Sequence, residues 1–304
     1  MGFLIPVSKV RVLQGVRLLS SMVEPSFCKA VVIGPSPIGG LINIGDSMPD
    51  KPKYSVLTYI YNNYEIVHEV KEKDPDAEYI LVTDDPNLKS NTWTVVYDPI
   101  GDMSPWSKMY TIRFKPFNYV NSDIVVRIDG SIEIRKSLRP LVDTFIAGNY
   151  DRCMMLHPDR NTFEPELDCW VTYRGYNSKC RDRCLDMMRK MGYDLHYKGL
   201  FQGCFEIVRN NTVNRDINNL TLGLMYYTGG DTIDRVDQHI TSFVINHFFS
   251  DKIKILPVSE SIITNGKLMQ WYVHHSNKPI IKPQTIPQMM FNIPCVPWDY
   301  IYNK

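Results

Sequence analysis

The run Asp123-Ile124-Val125-Val126-Arg127-Ile128-Asp129-Gly130-Ser131-Ile132-Glu133-Ile134 opens with an apolar, β-branched segment of strand length and breaks at Asp129-Gly130-Ser131. A short apolar run of this kind reads as a central strand covered on both faces. The break puts a carboxylate and a hydroxyl at the strand's carboxyl end, which in open α/β sheets is where ligands bind. A D-G pair is also what an ordinary turn asks for, so the turn carries a structural reading beside the functional one.

Working outward, residues 54–60 and 78–83 read as short apolar strands, the second ended by Asp84-Asp85-Pro86, and residues 93–97 as a third. The spacing of Trp106, Met109, Tyr110, Ile112 and Phe114 predicts a helix that opens at Ser104, takes Pro105 at its first position and is bent or ended by Pro116. Beyond the Asp129 turn the pattern predicts a helix over 137–147, a strand over 152–156 ending at His157, and helical structure over 163–191. A strand over 204–208, helices over 213–227 and 237–249, and a strand over 252–256 follow. This alternation predicts an α/β fold in which helices cover both faces of a sheet, with a single main domain over residues 54–256.

The flanks read differently. Residues 1–53 are basic and linker-rich, with no acid before Glu24, which fits either a loosely packed extension or an amphipathic basic helix in peripheral contact with a membrane. Pro6 and the charges of Lys9, Arg11 and Arg17 interrupt the segment too often for it to span a bilayer. Residues 257–304 are rich in proline and predict a tail wrapping over the domain.

With 34 basic and 33 acidic residues the charges nearly cancel, so composition gives no reason to expect a nucleic-acid partner. Any phosphate chemistry must come from a local site. The seven cysteines, Cys28, Cys153, Cys169, Cys180, Cys184, Cys204 and Cys295, form no C-x-x-C pair or zinc spacing. They read as reduced, mostly buried thiols, which favours a cytoplasmic setting.

Three groups of residues have the chemistry for a site. Asp129 and Ser131 offer oxygens to a hard cation such as Mn²⁺ or Mg²⁺, although a hydroxyl supplies far less charge than a second carboxylate. His157 and Arg160 lie just past a strand end with Glu164 and Glu166 following: Arg160 can clamp a phosphate or carboxylate, and Glu164 can act as acid/base. The same acids also suit the first turn of a helix. Gln202 and Gly203 with Glu206, then Asp237 and Gln238, supply carboxamides and carboxylates suited to sugar hydroxyls, while Asp237 also fits a helix cap. Arg113 and Lys115, beside Pro116, either face a diphosphate or are solvated, and His274 or His275 either completes a metal shell or stays on the surface.

The order of these motifs resembles the glycosyltransferase-like domain family of bacterial polysaccharide and capsule loci and of plant mucilage and turgor-regulation proteins. The resemblance runs through residues 54–61, Val82-Thr83-Asp84-Asp85, Leu88, Ser90 and Trp93, then Arg113, Lys115 and Pro116, and the stretch from Asp123 to Ser131. It continues with His157, Arg160, Glu164, Gln202-Gly203 and Asp237-Gln238, and so covers roughly residues 54–249. It implies a GT-A-like mixed, mostly parallel sheet, a nucleotide-sugar donor across the carboxyl ends of the strands, and a Mn²⁺ or Mg²⁺ ion near Asp129. By the same carry-over, Thr58, Asp84 and Asp85 belong to the nucleotide side. His157, Arg160, Glu164, Gln202, Gly203, Asp237 and Gln238 surround the transferred sugar or a glycan or glycoconjugate acceptor. If the transfer inverts configuration, Asp237 and Glu164 are the candidate bases for the acceptor hydroxyl; if it retains configuration, no such base is required in the same place. Two alternatives stand beside the transferase: a metal-dependent hydrolase of lipid amides or glycosides, and a catalytically silent carbohydrate-binding relative, suggested by Ser131.

Overall fold

A computed structural model describes residues 52–157, 162–174, 178–229, 236–259, 262 and 268–271. The chain divides into two compact units, residues 1–50 and 51–304, and all described residues belong to the second. The expected N-terminal extension and most of the tail, with Arg160, His274 and His275, lie outside the described residues.

The strands are β1 (Tyr54–Ile60), β2 (Ala77–Thr83), β3 (Thr94–Tyr97), β4 (Ile124–Ile128), β5 (Ile132–Ile134), β6 (Arg152–Leu156), β7 (Phe201–Arg209), β8 (Ile255–Val258) and β9 (Met269–Trp271). The helices are α1 (Pro105–Phe114), α2 (Arg139–Ala147), α3 (Phe163–Arg174), α4 (Ser178–Lys190), α5 (Thr212–Gly229) and α6 (Asp237–Val244). Seven strands form one sheet in the order β3-β2-β1-β4-β7-β6-β8. Strands β3, β2, β1 and β4 are mutually parallel, β7 runs antiparallel to both β4 and β6, and β6 is parallel to β8. The protein is thus an α/β domain, as the alternating pattern predicts, and it is built on a mostly parallel mixed sheet of the class the resemblance implies.

Strands β1 and β4 are buried along their whole length, which is why they read as unbroken apolar runs. Side chains alternate between the faces. One face carries Val56, Ile60, Val126, Ile128, Phe205 and Ile207 into a core with Val142 and Phe145 of α2. The other carries Leu57, Tyr59, Val125 and Val208, with Ile112 of α1. At ~25 cal/mol per Å² of apolar surface, two such layers supply the main driving force for the fold. The outermost strand β3 is half-exposed and short, as an edge should be.

Helix α1 follows its sequence signals closely: Ser104 Oγ accepts the N–H of Ser107 at 3.1 Å, Pro105 is the first residue, and Pro116 begins a single 3₁₀ turn after Lys115. Elsewhere tertiary structure redraws the sequence reading. The helical stretch over 163–191 is two helices, and the helix expected over 237–249 is α-helical only to Val244 and continues as a π-helical turn, Ile245–Phe249. Residues 132–134, not read as a strand, pair antiparallel with 269–271 of the tail in a separate two-stranded sheet. No helix among the described residues is long and apolar enough to cross a membrane.

Candidate functional site

The carboxyl ends of β1, β2 and β4 share one edge of the sheet, and antiparallel β7 brings its amino end, Phe201-Gln202-Gly203, to the same edge. The turn leaving β4 is tightly held there. Asp129 N–H donates to Cys204 O at 3.0 Å, Ile132 N–H to Asp129 O at 3.0 Å, and Gly130 N–H to the Tyr64 hydroxyl at 3.0 Å. The Tyr64 hydroxyl in turn donates to Tyr59 O at 3.2 Å. Gly130 is required by close approach: a Cβ there would lie 2.9 Å from both the Tyr59 carbonyl oxygen and Ile60 Cγ1. The outcome is that the Asp129 side chain stands 35% exposed, whereas Ser131 is buried.

Beneath Asp129 lies a buried network of charges. Arg127 is directly opposite Glu206 in the β4–β7 ladder, and its Nε donates to Glu206 Oε1 at 2.6 Å. Arg127 Nη2 donates to Gly203 O at 2.6 Å, and Nη1 reaches Tyr59 Oη at 3.4 Å and Asp129 Oδ1 at 3.6 Å. Arg152, wholly buried, places Nε 3.0 Å from Glu206 Oε2 and donates from Nη2 to Asn218 Oδ1 of α5 at 2.7 Å. Arg113, in the last turn of α1, is paired with Asp237 in the first turn of α6. Its guanidinium sits against Gly203, where a Cβ would be 2.9 Å from Nη1 and nearer still to Nη2.

Burying three guanidiniums is tolerable only because carboxylates meet them. Burial by itself would push the Glu206 carboxyl up, but Arg152, Arg127 and Arg113 outweigh it and bring it down to about 2. Arg127 is desolvated too, yet Glu206 and Tyr59 hold it above the ordinary arginine range. Arg113 is lowered by burial and then by the like charge of Arg127. Arg152 is lowered by burial, which Glu206 offsets only in part.

The residues expected from the sequence divide accordingly. Arg113, Asp129, Gly203 and Asp237 are brought together at or against this network, and Gln202 is buried beside Gly203. Gln238 joins His157 instead through Glu166: Gln238 Nε2 donates to Glu166 Oε1 at 2.9 Å, and His157 Nε2 is 3.6 Å from the same oxygen. Trp170 Nε1 also donates to it. Glu164, the expected acid/base, points the other way and meets Arg189 at 3.1 Å on the surface. Positions two apart on a helix do not share a face, so burying Glu166 turns Glu164 outward.

Asp84 holds the turn after β1, accepting the N–H of Asn62, which has a left-handed φ of 54°. Asp85 accepts the N–H of Asn87 and so closes its own turn. Lys115 donates its backbone N–H to Thr111 O at the end of α1. Thr58 is buried two residues before the end of β1, and by strand alternation it shares a face with Val56 and Ile60, away from Arg127.

Arg127, Arg152 and Tyr64 are absent from the sequence-derived site, and Glu206 and Glu166, which it includes, meet buried arginines and His157; a signal for part of this exists. Arg127 and Glu206 each interrupt an apolar strand, and a charge inside a buried strand must find its opposite.

Among the described residues no three His, Cys, Asp or Glu side chains converge as a metal site would require. At the turn a cation would find the single carboxylate of Asp129 with the Arg127 guanidinium 3.6 Å away, so these residues do not by themselves fit a preformed Mn²⁺ or Mg²⁺ site. No family model matches the chain, and no curated protein matches it in sequence.

Proposed function

We propose that the chain is a glycosyltransferase that moves a sugar from a nucleotide-sugar donor to a hydroxyl of a glycan or glycoconjugate acceptor. The observation that carries this reading is the half-exposed Asp129 carboxylate at the carboxyl edge of a mostly parallel sheet, backed by the buried guanidiniums of Arg113 and Arg127. The α/β architecture is of the class implied by the family resemblance.

In this reaction the acceptor oxygen forms a bond to the anomeric carbon as the bond from that carbon to the diphosphate breaks, and the electron pair leaves on the diphosphate. A fixed cation in a water-poor site stabilises that developing negative charge far better than water does. Among the described residues Arg113 and Arg127 are cations at this edge, and Asp237 is a carboxylate to which an acceptor hydroxyl can pass its proton. Gln202 and Gln238 suit sugar hydroxyls by their chemistry.

The test is a thermal-shift screen of UDP-, GDP- and CMP-sugars with and without Mn²⁺ or Mg²⁺, followed by measurement of nucleotide release. A melting-temperature rise with one donor, abolished in Asp129→Ala together with turnover, is expected. Release of product from a glycoside or lipid amide without any nucleotide would replace this reading with a hydrolase. Glycan binding with no donor binding would replace it with a silent carbohydrate-binding protein.

A further inference from the structure

The three buried guanidiniums are not held equally. Arg127 is fixed by Glu206, the Gly203 carbonyl and Tyr59, and Arg152 by Glu206 and Asn218, so neither can leave without breaking several contacts. Among the described residues Arg113 is paired through Nη1 with one side chain, Asp237; its Nε has no hydrogen-bond partner, nor do Nε and Nη1 of Arg152, but Arg152 keeps two side-chain partners. The like charge of Arg127 is the strongest charge acting against it. Gln202 Oε1, one residue from the glycine on which Arg113 rests, is also buried without a hydrogen-bond partner among the described residues. A cation on a single tether, beside a second cation and an unsatisfied acceptor, is arranged to accept an oxyanion that carries further hydroxyls.

We propose that Arg113 and Asp237 form an anion-operated latch: a diphosphate-bearing ligand at this edge takes the Arg113 guanidinium from Asp237. In the free protein Asp237 is neutralised by Arg113. When the anion binds, the N–H donors of Arg113 pass from the Asp237 carboxylate to phosphate oxygens, and Asp237 is left as an unpaired carboxylate facing the site. No covalent bond changes. The exchange makes the basicity of Asp237 depend on prior donor binding, which imposes an order in which donor precedes acceptor. This deepens the transferase reading and rests on it for the identity of the natural anion, but the exchange itself can be read with inorganic pyrophosphate.

The experiment is calorimetric titration of pyrophosphate into the full chain, at constant ionic strength, for the wild type, Asp237→Asn, Arg113→Lys and Gly203→Ala. Because Asp237 competes with the anion for Arg113, Asp237→Asn binds pyrophosphate about tenfold more tightly than the wild type. A purely structural role for the pair predicts equal or weaker binding. Arg113→Lys loses the planar fork and weakens binding about tenfold. Gly203→Ala keeps every charge but displaces the guanidinium, and it weakens binding similarly. Binding by Asp237→Asn no tighter than the wild type, with a native melting curve, overturns the latch. So does undetectable pyrophosphate binding by the wild type. Should Asp237→Asn fail to fold, unchanged affinity in Gly203→Ala overturns it instead. The expected pattern with pyrophosphate, combined with no turnover of any nucleotide sugar, leaves the latch standing and removes the transferase reading.

Discussion

Replacing Glu206 by glutamine keeps the shape of the side chain and removes the carboxylate that both Arg127 and Arg152 grip, at 2.6 Å and 3.0 Å. In the folded protein this carboxyl lies at about 2, against an ordinary value of 4.5. That displacement corresponds to about 3 kcal/mol of stability at neutral pH, of the same order as the loss seen when one partner of a buried ion pair is removed. Since the folded-state value is depressed, the contribution is fully present above about pH 4.5 and is lost as the pH falls towards 2. The gap in unfolding free energy between wild type and Glu206→Gln, measured by urea denaturation, is therefore about 3 kcal/mol at pH 7 and about 1 kcal/mol at pH 3. By thermal unfolding at pH 7 the variant melts about 6–12 °C lower. Other carboxylates titrate in both proteins, so the difference between them isolates Glu206. No gap at pH 7, or one that stays constant down to pH 3, would refute the reasoning.

Gly130→Ala forces a Cβ against the Tyr59 carbonyl and is expected to cost about 1–3 kcal/mol and to move Asp129, read as a lower urea midpoint together with weaker binding of the nucleotide sugar that stabilises the wild type. Glu164→Gln leaves unfolding free energy within about 0.5 kcal/mol of wild type, because its ion pair with Arg189 is exposed, whereas Glu166→Gln lowers it by more than 1 kcal/mol through the buried contacts to Gln238, Trp170 and His157. Ser104→Ala removes the cap of α1 and lowers stability by about 1 kcal/mol in the same assay; an unchanged midpoint would show that the Ser107 N–H finds another acceptor.

Much of the architecture is legible in the chain. The Ile124–Ile128 run is β4 and its apolar continuity reflects burial on both faces, while Ser104-Pro105 opens α1 where the capping rule puts it. Period alone does not fix where a strand stops: the strand read over 204–208 runs from Phe201, because β6 pairs with that extra length across a register shift near Met154. The strand pairing of 132–134 is likewise invisible locally, since its partner lies more than a hundred residues away. Gly130 was legible as a turn residue, but its reason is the nearby Tyr59 carbonyl rather than a left-handed backbone.

The same division runs through the candidate site. Local periodicity and side-chain chemistry encode the α/β pattern, the carboxylate at the end of the central strand and the residue types proposed for the site. Long-range packing is what sets Arg127 against Glu206 across an antiparallel ladder, brings Arg113 to Asp237 over 124 positions and turns Glu166 rather than Glu164 inward. Those choices depend on strand direction, register and helix rotation. The physical reason is that a buried charge specifies that it must have a partner, while the packing of the whole chain selects which one.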